Sequence, residues 1–206
     1  MPFALLESAV AAAGTASSGA NQPPRTFVAV GDAGRKARLR AAAEEEEHEF
    51  YTAHTTPEWR AALAPLGTDP IKMHLTDAPW VVVVFAQAFG LERGSGGEER
   101  HVKHYYVLES VGIAVGLFLA SLTHAGLGAL THTPNPMGFL GTLLDRPRNE
   151  RAYVVIPVGY PAPAATVPAH MLRVARGEDQ GSPGGKNARV RASRAWSCRS
   201  TRCPPR

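Results

Sequence analysis

The chain has 206 residues, 44% of them hydrophobic, which is enough for one folded domain with a real core. Its formal charge of +4 is uneven: residues 169–206 hold nine Lys/Arg against two Asp/Glu, and residues 1–168 hold 13 against 16. The basic balance therefore belongs to the tail and gives no sign of a specific nucleic-acid surface on the body.

Phe3 to Ala13 has helical composition, and Gly14 is its expected stop. Residues 15–25 form a loop rich in small residues and Pro, and Thr26–Val30 reads as a buried strand. A helix is expected over Asp32–Ala53, followed by a short one over Pro57–Leu63 with Thr56 as N-cap. Val81–Phe85 (VVVVF) is β-branched and apolar, the pattern of a strand buried on both faces. Gly90–Glu99 reads as a flexible loop. His101–His124 reads as the longest helix, apolar nearly all round from Val111 and so central in the core. A short strand at Leu127–Thr131, a helix at Pro136–Leu144 and a strand at Ala152–Val158 follow. Helices and strands around one central mixed sheet give an α+β class, an α/β sandwich. The expected domain is 1–168. Residues 169–206, rich in Gly, Ser, Pro and Arg, read as a disordered tail.

Both cysteines, Cys198 and Cys203, lie in that tail, so the body has no disulfide framework and no thiolate metal site. No signal-peptide pattern opens the chain, and the longest apolar stretch, Val111–Leu122, is too short to span a bilayer. A soluble, cytoplasmic protein without membrane insertion is the expectation. His101 and His104, three apart, could share a helical face, but no third ligand stands at a telling distance and no metal is expected. Neither a G-x-S-x-G elbow nor a G-x-G-x-x-G after a strand is present, so a serine hydrolase and a Rossmann cofactor site are unsupported.

Several stretches, in order, carry a resemblance: Ala13–Asn21 (AGTASSGAN), the acidic helix ending Glu47-His48-Glu49-Phe50-Tyr51, and Asp69–Lys72 (DPIK). His104-Tyr105-Tyr106 with Glu109–Ala114, Ala125–Pro134 (AGLGALTHTP), Pro157–Pro161 (PVGYP) and Ala165–Pro168 (ATVP) complete it. Together they resemble the FMN-dependent nitroreductase superfamily, on its iodotyrosine deiodinase-like branch. The resemblance implies a nitroreductase-like fold and a homodimer with FMN at the subunit interface. It also implies reduction of the flavin by NAD(P)H and reductive dehalogenation of a halotyrosine.

The loop Ser17-Ser18-Gly19-Ala20 resembles the flavin-contacting turn, where small side chains let backbone N–H groups approach a flat ligand. Ser17, Ser18 and Gly19 are thereby placed at the cofactor and Ala20 against the substrate. Without the resemblance, an ordinary polar loop is the commoner reading of such a composition. Glu47, Tyr51 and Lys72 resemble the clamp on the amino-acid part of the substrate. A carboxylate suits an ammonium group, and a phenol and a lysine suit a carboxylate. The plain alternative is a solvated acidic helix face and a loop charge. Thr131-His132-Thr133 resembles the segment along the flavin's polar edge. Thr133 is the expected catalytic residue, its hydroxyl reaching the ring's N5; hydroxyl capping of a strand end is the plain alternative.

Four features depart from the family pattern. Met1 stands just after the place of an arginine-rich, serine-containing segment that holds the FMN phosphate. Ser17 replaces a usual Pro, and Arg25 a usual Trp. After ATVP the chain runs Ala169–Arg173 (AHMLR) without the apolar strand that should cross to a partner. Errors of gene prediction at both ends are favoured over a degenerate copy, and the chain as it stands is expected to bind FMN weakly. The competing functions are a general nitroaromatic or quinone flavin reductase and a flavin-deficient, non-catalytic paralogue.

Overall fold

A computed structural model describes residues 1–63, 69–94, 96–163 and 165. Helix α1 (Phe3–Gly14) leads through a 3-10 turn (Gly19–Asn21) into strand β1 (Arg25–Val30). Arg25 closes the end of α1, donating to the carbonyls of Gly14 (3.0 Å) and Ala16 (3.1 Å). One of the family departures is thus a helix C-terminal cap here, where a cation meets free carbonyls.

Helix α2 (Ala33–Glu49) starts on an Asp32 cap, whose side chain accepts from the Arg35 N–H at 2.7 Å. It runs into a π-helical turn (Phe50–His54), so the expected helix to Ala53 ends in a wider turn. Helix α3 (Pro57–Leu63) has its Thr56 cap, with Trp59 N–H donating to Thr56 Oγ1 at 3.2 Å. A short helix α4 (His74–Asp77) precedes strand β2 (Trp80–Gln87), whose Val81–Phe85 are fully buried.

Two expectations fail between residues 89 and 106. Strands β3 (Phe89–Arg93) and β4 (Glu99–Lys103) pair as a hairpin where a flexible loop was expected, with Leu91 opposite His101. Helix α5 (Val107–His124) therefore begins six residues after His101. Tyr106, at a left-handed φ of 51°, stops the helix from extending backwards. His101 stacks on Phe89 (4.2 Å between ring centres), and His104 Nδ1 lies 3.3 Å from the Gln87 carbonyl, so the two histidines share no helical face.

Strand β5 (Gly128–Ala129), helix α6 (Phe139–Leu143) and strand β6 (Glu150–Gly159) complete the chain. The main sheet runs β1-β2-β6-β5, and every described pairing in it is antiparallel. Residues alternate along β2, so Val82, Val84 and Ala86 face one apolar cluster and Val81, Val83 and Phe85 another. Helices α1 and α5 cover the first face; α2, α4 and α6 cover the second. This layered α+β arrangement is the expected class. By length and composition α5 could cross a bilayer, but six of its residues are buried, five of them in the core shared with α1 and the sheet. The expected tail, 169–206, and Thr166–Pro168 lie outside the described residues.

Candidate functional site

Lys36, Arg40, Glu44 and Glu47 follow one another at four- and three-residue steps, so they line one face of α2. That face meets residues 69–78. Lys36 Nζ donates to the carbonyls of Thr76 (3.1 Å) and Ala78 (2.6 Å). Arg40 binds Glu44 at 2.6 Å and reaches Thr76 Oγ1 at 3.3 Å. Glu44 Oε1 also accepts the Lys72 N–H at 2.7 Å, which fixes the Lys72 main chain to the helix carrying Glu47. Arg40 and this Lys72 N–H together hold the Glu44 carboxyl below its ordinary range, against the desolvation that would raise it.

The Lys72 side chain is 7% exposed and that of Glu47 12%; Nζ and Oε2 are 3.4 Å apart. Lys72 Nζ also donates to the Asp69 carbonyl and lies 6.0 Å from the centre of the Tyr51 ring. The structure thus brings together the three residues expected to grip an amino acid: one anion, one cation and one phenol, largely withdrawn from water.

Sequence reasoning overlooked His74 and expected His132 at the cofactor; in the structure both rings stand near Glu47 and Lys72. The His132 ring is buried against Glu47 and stands edge-on to His74, 5.5 Å between ring centres. His132 Nε2 is 3.9 Å from Glu47 Oε1, the spacing of an ion pair if the ring were charged. It is not: burial, reinforced by the Lys72 cation and His74, pushes the imidazole down to about 4. Burial and Lys72 also lower the His74 imidazole. The Nε2 atoms of both rings are buried without a hydrogen-bond partner among the described residues.

The segment expected at the flavin's edge divides. Thr131 and Thr133 are exposed, and His132 between them is buried, the alternation of an extended strand. The His132 main chain is bridged to Val155 through two bonds, 2.8 and 2.9 Å. Its side chain and main chain both face protein, unlike its neighbours.

The turn Ser17–Ala20 is tied to the start of α5. Gly19 N–H donates to Ser110 Oγ at 3.1 Å, and that hydroxyl donates to the Tyr106 carbonyl at 2.6 Å. A Cβ on Gly19 would run into the Tyr105 carbonyl oxygen. The small residue is therefore required by the close approach to Tyr105, and its N–H is spent inside the chain. Gly19→Ala should push the turn off α5 and lower stability by roughly 1–3 kcal/mol, the usual cost of overpacking. Thermal unfolding of both variants checks this.

The donors decide whether FMN fits. The hydroxyls of Ser17, Ser18, Thr131 and Thr133 make no hydrogen bond among the described residues, and Ser17, Thr131 and Thr133 are exposed. Neutral donors of this kind fit the polar edge of an isoalloxazine ring. None of the four is a cation of the kind a phosphate dianion calls for.

Comparison with known proteins gives the chain's family. Residues 1–160 match the model of the nitroreductase family. An iodotyrosine deiodinase of Haliscomenobacter hydrossis is 49% identical over 168 residues, covering 82% of this chain and 74% of that protein. One of Drosophila melanogaster is 39% identical over 167 residues, and the chain spans only 57% of its length. A crystal structure of oxidized iodotyrosine deiodinase bound to FMN and 3-iodo-L-tyrosine superposes with a TM-score of 0.70 at 29% identity, covering 81% of this chain and 83% of that one. A Bacteroides fragilis nitroreductase with bound FMN shares the fold at a TM-score of 0.58 and 17% identity, covering 92% of this chain and 88% of its own. On the family match and the 49% identity, the chain belongs to the nitroreductase family.

Proposed function

We propose that the chain is an FMN-dependent oxidoreductase that dehalogenates a halogenated tyrosine, with NAD(P)H as the electron source. The observation that carries this reading is the withdrawn Glu47–Lys72 pair beside Tyr51. A surface built only to admit flat nitroaromatics or quinones has no need of adjacent opposite charges. A zwitterionic amino acid does, with its carboxylate on Lys72 and Tyr51 and its ammonium on Glu47. The 3-iodo-L-tyrosine bound by the superposed deiodinase is such an amino acid.

Bound FMN, once reduced, supplies the two electrons that with a proton replace the carbon–halogen bond by carbon–hydrogen and release halide. The protein's share is placement. Glu47, Tyr51 and Lys72 hold the amino-acid end, Ala20 borders the substrate, and Ser17, Ser18, Gly19, Thr131 and Thr133 line the cofactor. Thr133 is the hydroxyl best placed by resemblance to reach N5.

The working form we propose is a homodimer. The turn is bonded to α5 on one face of the sheet, and the clamp stands on α2 and before α4, on the other. A second copy would bring the two groups into one site. Ile113, Gly116, Leu117 and Ala120 form an exposed apolar stripe on α5 that a second copy would cover.

The test is halide release. Protein with saturating FMN and a nicotinamide reductant should liberate iodide from 3-iodo-L-tyrosine, read with an iodide electrode, and prefer it to 2-iodophenol. Brisk reduction of a nitroaromatic with no iodide release would replace this reading by the general reductase.

A further inference from the structure

Glu47 stands between two partners. Oε2 is 3.4 Å from Lys72 Nζ, and Oε1 is 3.9 Å from His132 Nε2, beyond hydrogen-bond range by under 1 Å. His132 is fixed through its main chain to Val155, so Glu47, at the end of α2, is the partner free to adjust. A ligand carboxylate arriving at Lys72 competes with Glu47 for that cation. Glu47 would then hold a buried negative charge with one oxygen facing the ligand and the other facing His132. An unpartnered nitrogen on a ring about nine-tenths buried, aimed at that oxygen, calls for an explanation.

We propose that His132 is a positioning residue for Glu47: its Nε2–H donates to Oε1 when a zwitterionic ligand occupies Lys72, and so keeps the carboxylate aimed at the ligand's ammonium. The inference rests on the clamp proposed above. A neutral ring suits the task. With Lys72 and His74 beside it, His132 titrates only near 4, so at neutral pH it donates a hydrogen bond without placing a second cation where the ammonium must sit. His74, edge-on to it, backs the ring.

The probes are 3-iodo-L-tyrosine and 3-(4-hydroxy-3-iodophenyl)propionate, which keeps the carboxylate but lacks the ammonium. Binding to FMN-saturated protein is read by flavin fluorescence and by calorimetry. His132→Phe keeps the bulk and removes the donor; the preference for iodotyrosine over the propionate should fall about tenfold, the loss of one hydrogen bond to a charged group. His132→Gln offers an amide N–H near the same place and should recover most of that preference. Two results overturn the proposal: an undiminished preference in His132→Phe, or an equal loss in the Phe and Gln variants. If the undiminished preference comes with a changed flavin spectrum, His132 belongs at the cofactor's edge instead. Lys72→Ala separates the two levels, because both probes carry the carboxylate. If Lys72→Ala weakens neither probe, the clamp itself fails; if it weakens both while His132→Phe keeps the preference, only the role of His132 fails.

Discussion

Lys72→Ala is expected to weaken binding of 3-iodo-L-tyrosine by at least about tenfold, because truncating one partner of a buried charge pair costs ~2–5 kcal/mol. Lys72 is the cation of the proposed clamp, 7% exposed on its side chain, and it faces Glu47 at 3.4 Å. Without it the ligand carboxylate meets only the Tyr51 phenol, and Glu47 stays withdrawn with no cation beside it. The ratio of iodotyrosine to 2-iodophenol turnover should fall by the same factor, since the phenol carries neither charge. Iodide release from both compounds, in both variants, measures that ratio. A general reductase would show an unchanged ratio. Equal losses on both compounds, with a lowered melting temperature, would mark a folding defect. Lys72→Arg then serves as the folded control, because it keeps the charge.

Arg146→Ala should destabilise the fold by about 3 kcal/mol, the low end for breaking a buried pair because Arg146 is itself partly exposed. Its partner Glu150 is 2% exposed on its side chain and accepts from Arg146 Nε at 2.7 Å and from Thr26 Oγ1 at 2.5 Å, with Gln87 at 3.3 Å. Burial alone would raise the Glu150 carboxyl; the bonds from Arg146, Thr26 and Gln87 outweigh it and hold the carboxyl below its ordinary 4.5. A carboxyl lowered by folding stabilises the protein fully above its unfolded value, and that contribution is lost as pH falls through the folded one. The Glu150 contribution is therefore intact above 4.5 and declines as the pH falls below it, and the variant, which lacks it, should begin to unfold at higher pH than wild type. At neutral pH the melting temperature should drop by about 6–12 °C for a domain of this size. An unchanged acid midpoint in the variant would show that Thr26 and Gln87 suffice for Glu150.

The elements with strong local signals were legible. VVVVF could only be a doubly buried strand, and Asp32 and Thr56 cap the helices they precede. Residues 89–106 misled because Gly and charge dominate β3 and β4, and their pairing is decided across the hairpin. Glu47, Tyr51 and Lys72 were readable as a set only through resemblance, since Lys72 is far from the other two in sequence. The bond from Lys72 N–H to Glu44, 28 residues away, carries no sequence signal, whereas Arg40 and Glu44 at i,i+4 do. That the His132 side chain turns inward between two exposed threonines was not legible, because a short strand end shows too little alternation.

The column Lys36, Arg40, Glu44, Glu47 on α2 limits how this protein can diversify. Its first three members hold α2 to residues 69–78, and the fourth, proposed to face the ligand, stands on the same strip. A mutation that re-aims Glu47 acts on Lys72, whose main chain is held by Glu44, itself bound by Arg40, so a new substrate preference reached there is expected to cost thermal robustness. Changes on the opposite, solvent-facing side of α2 carry no such penalty. Accumulated there, stabilising substitutions would give the margin that a later change at Glu47 consumes.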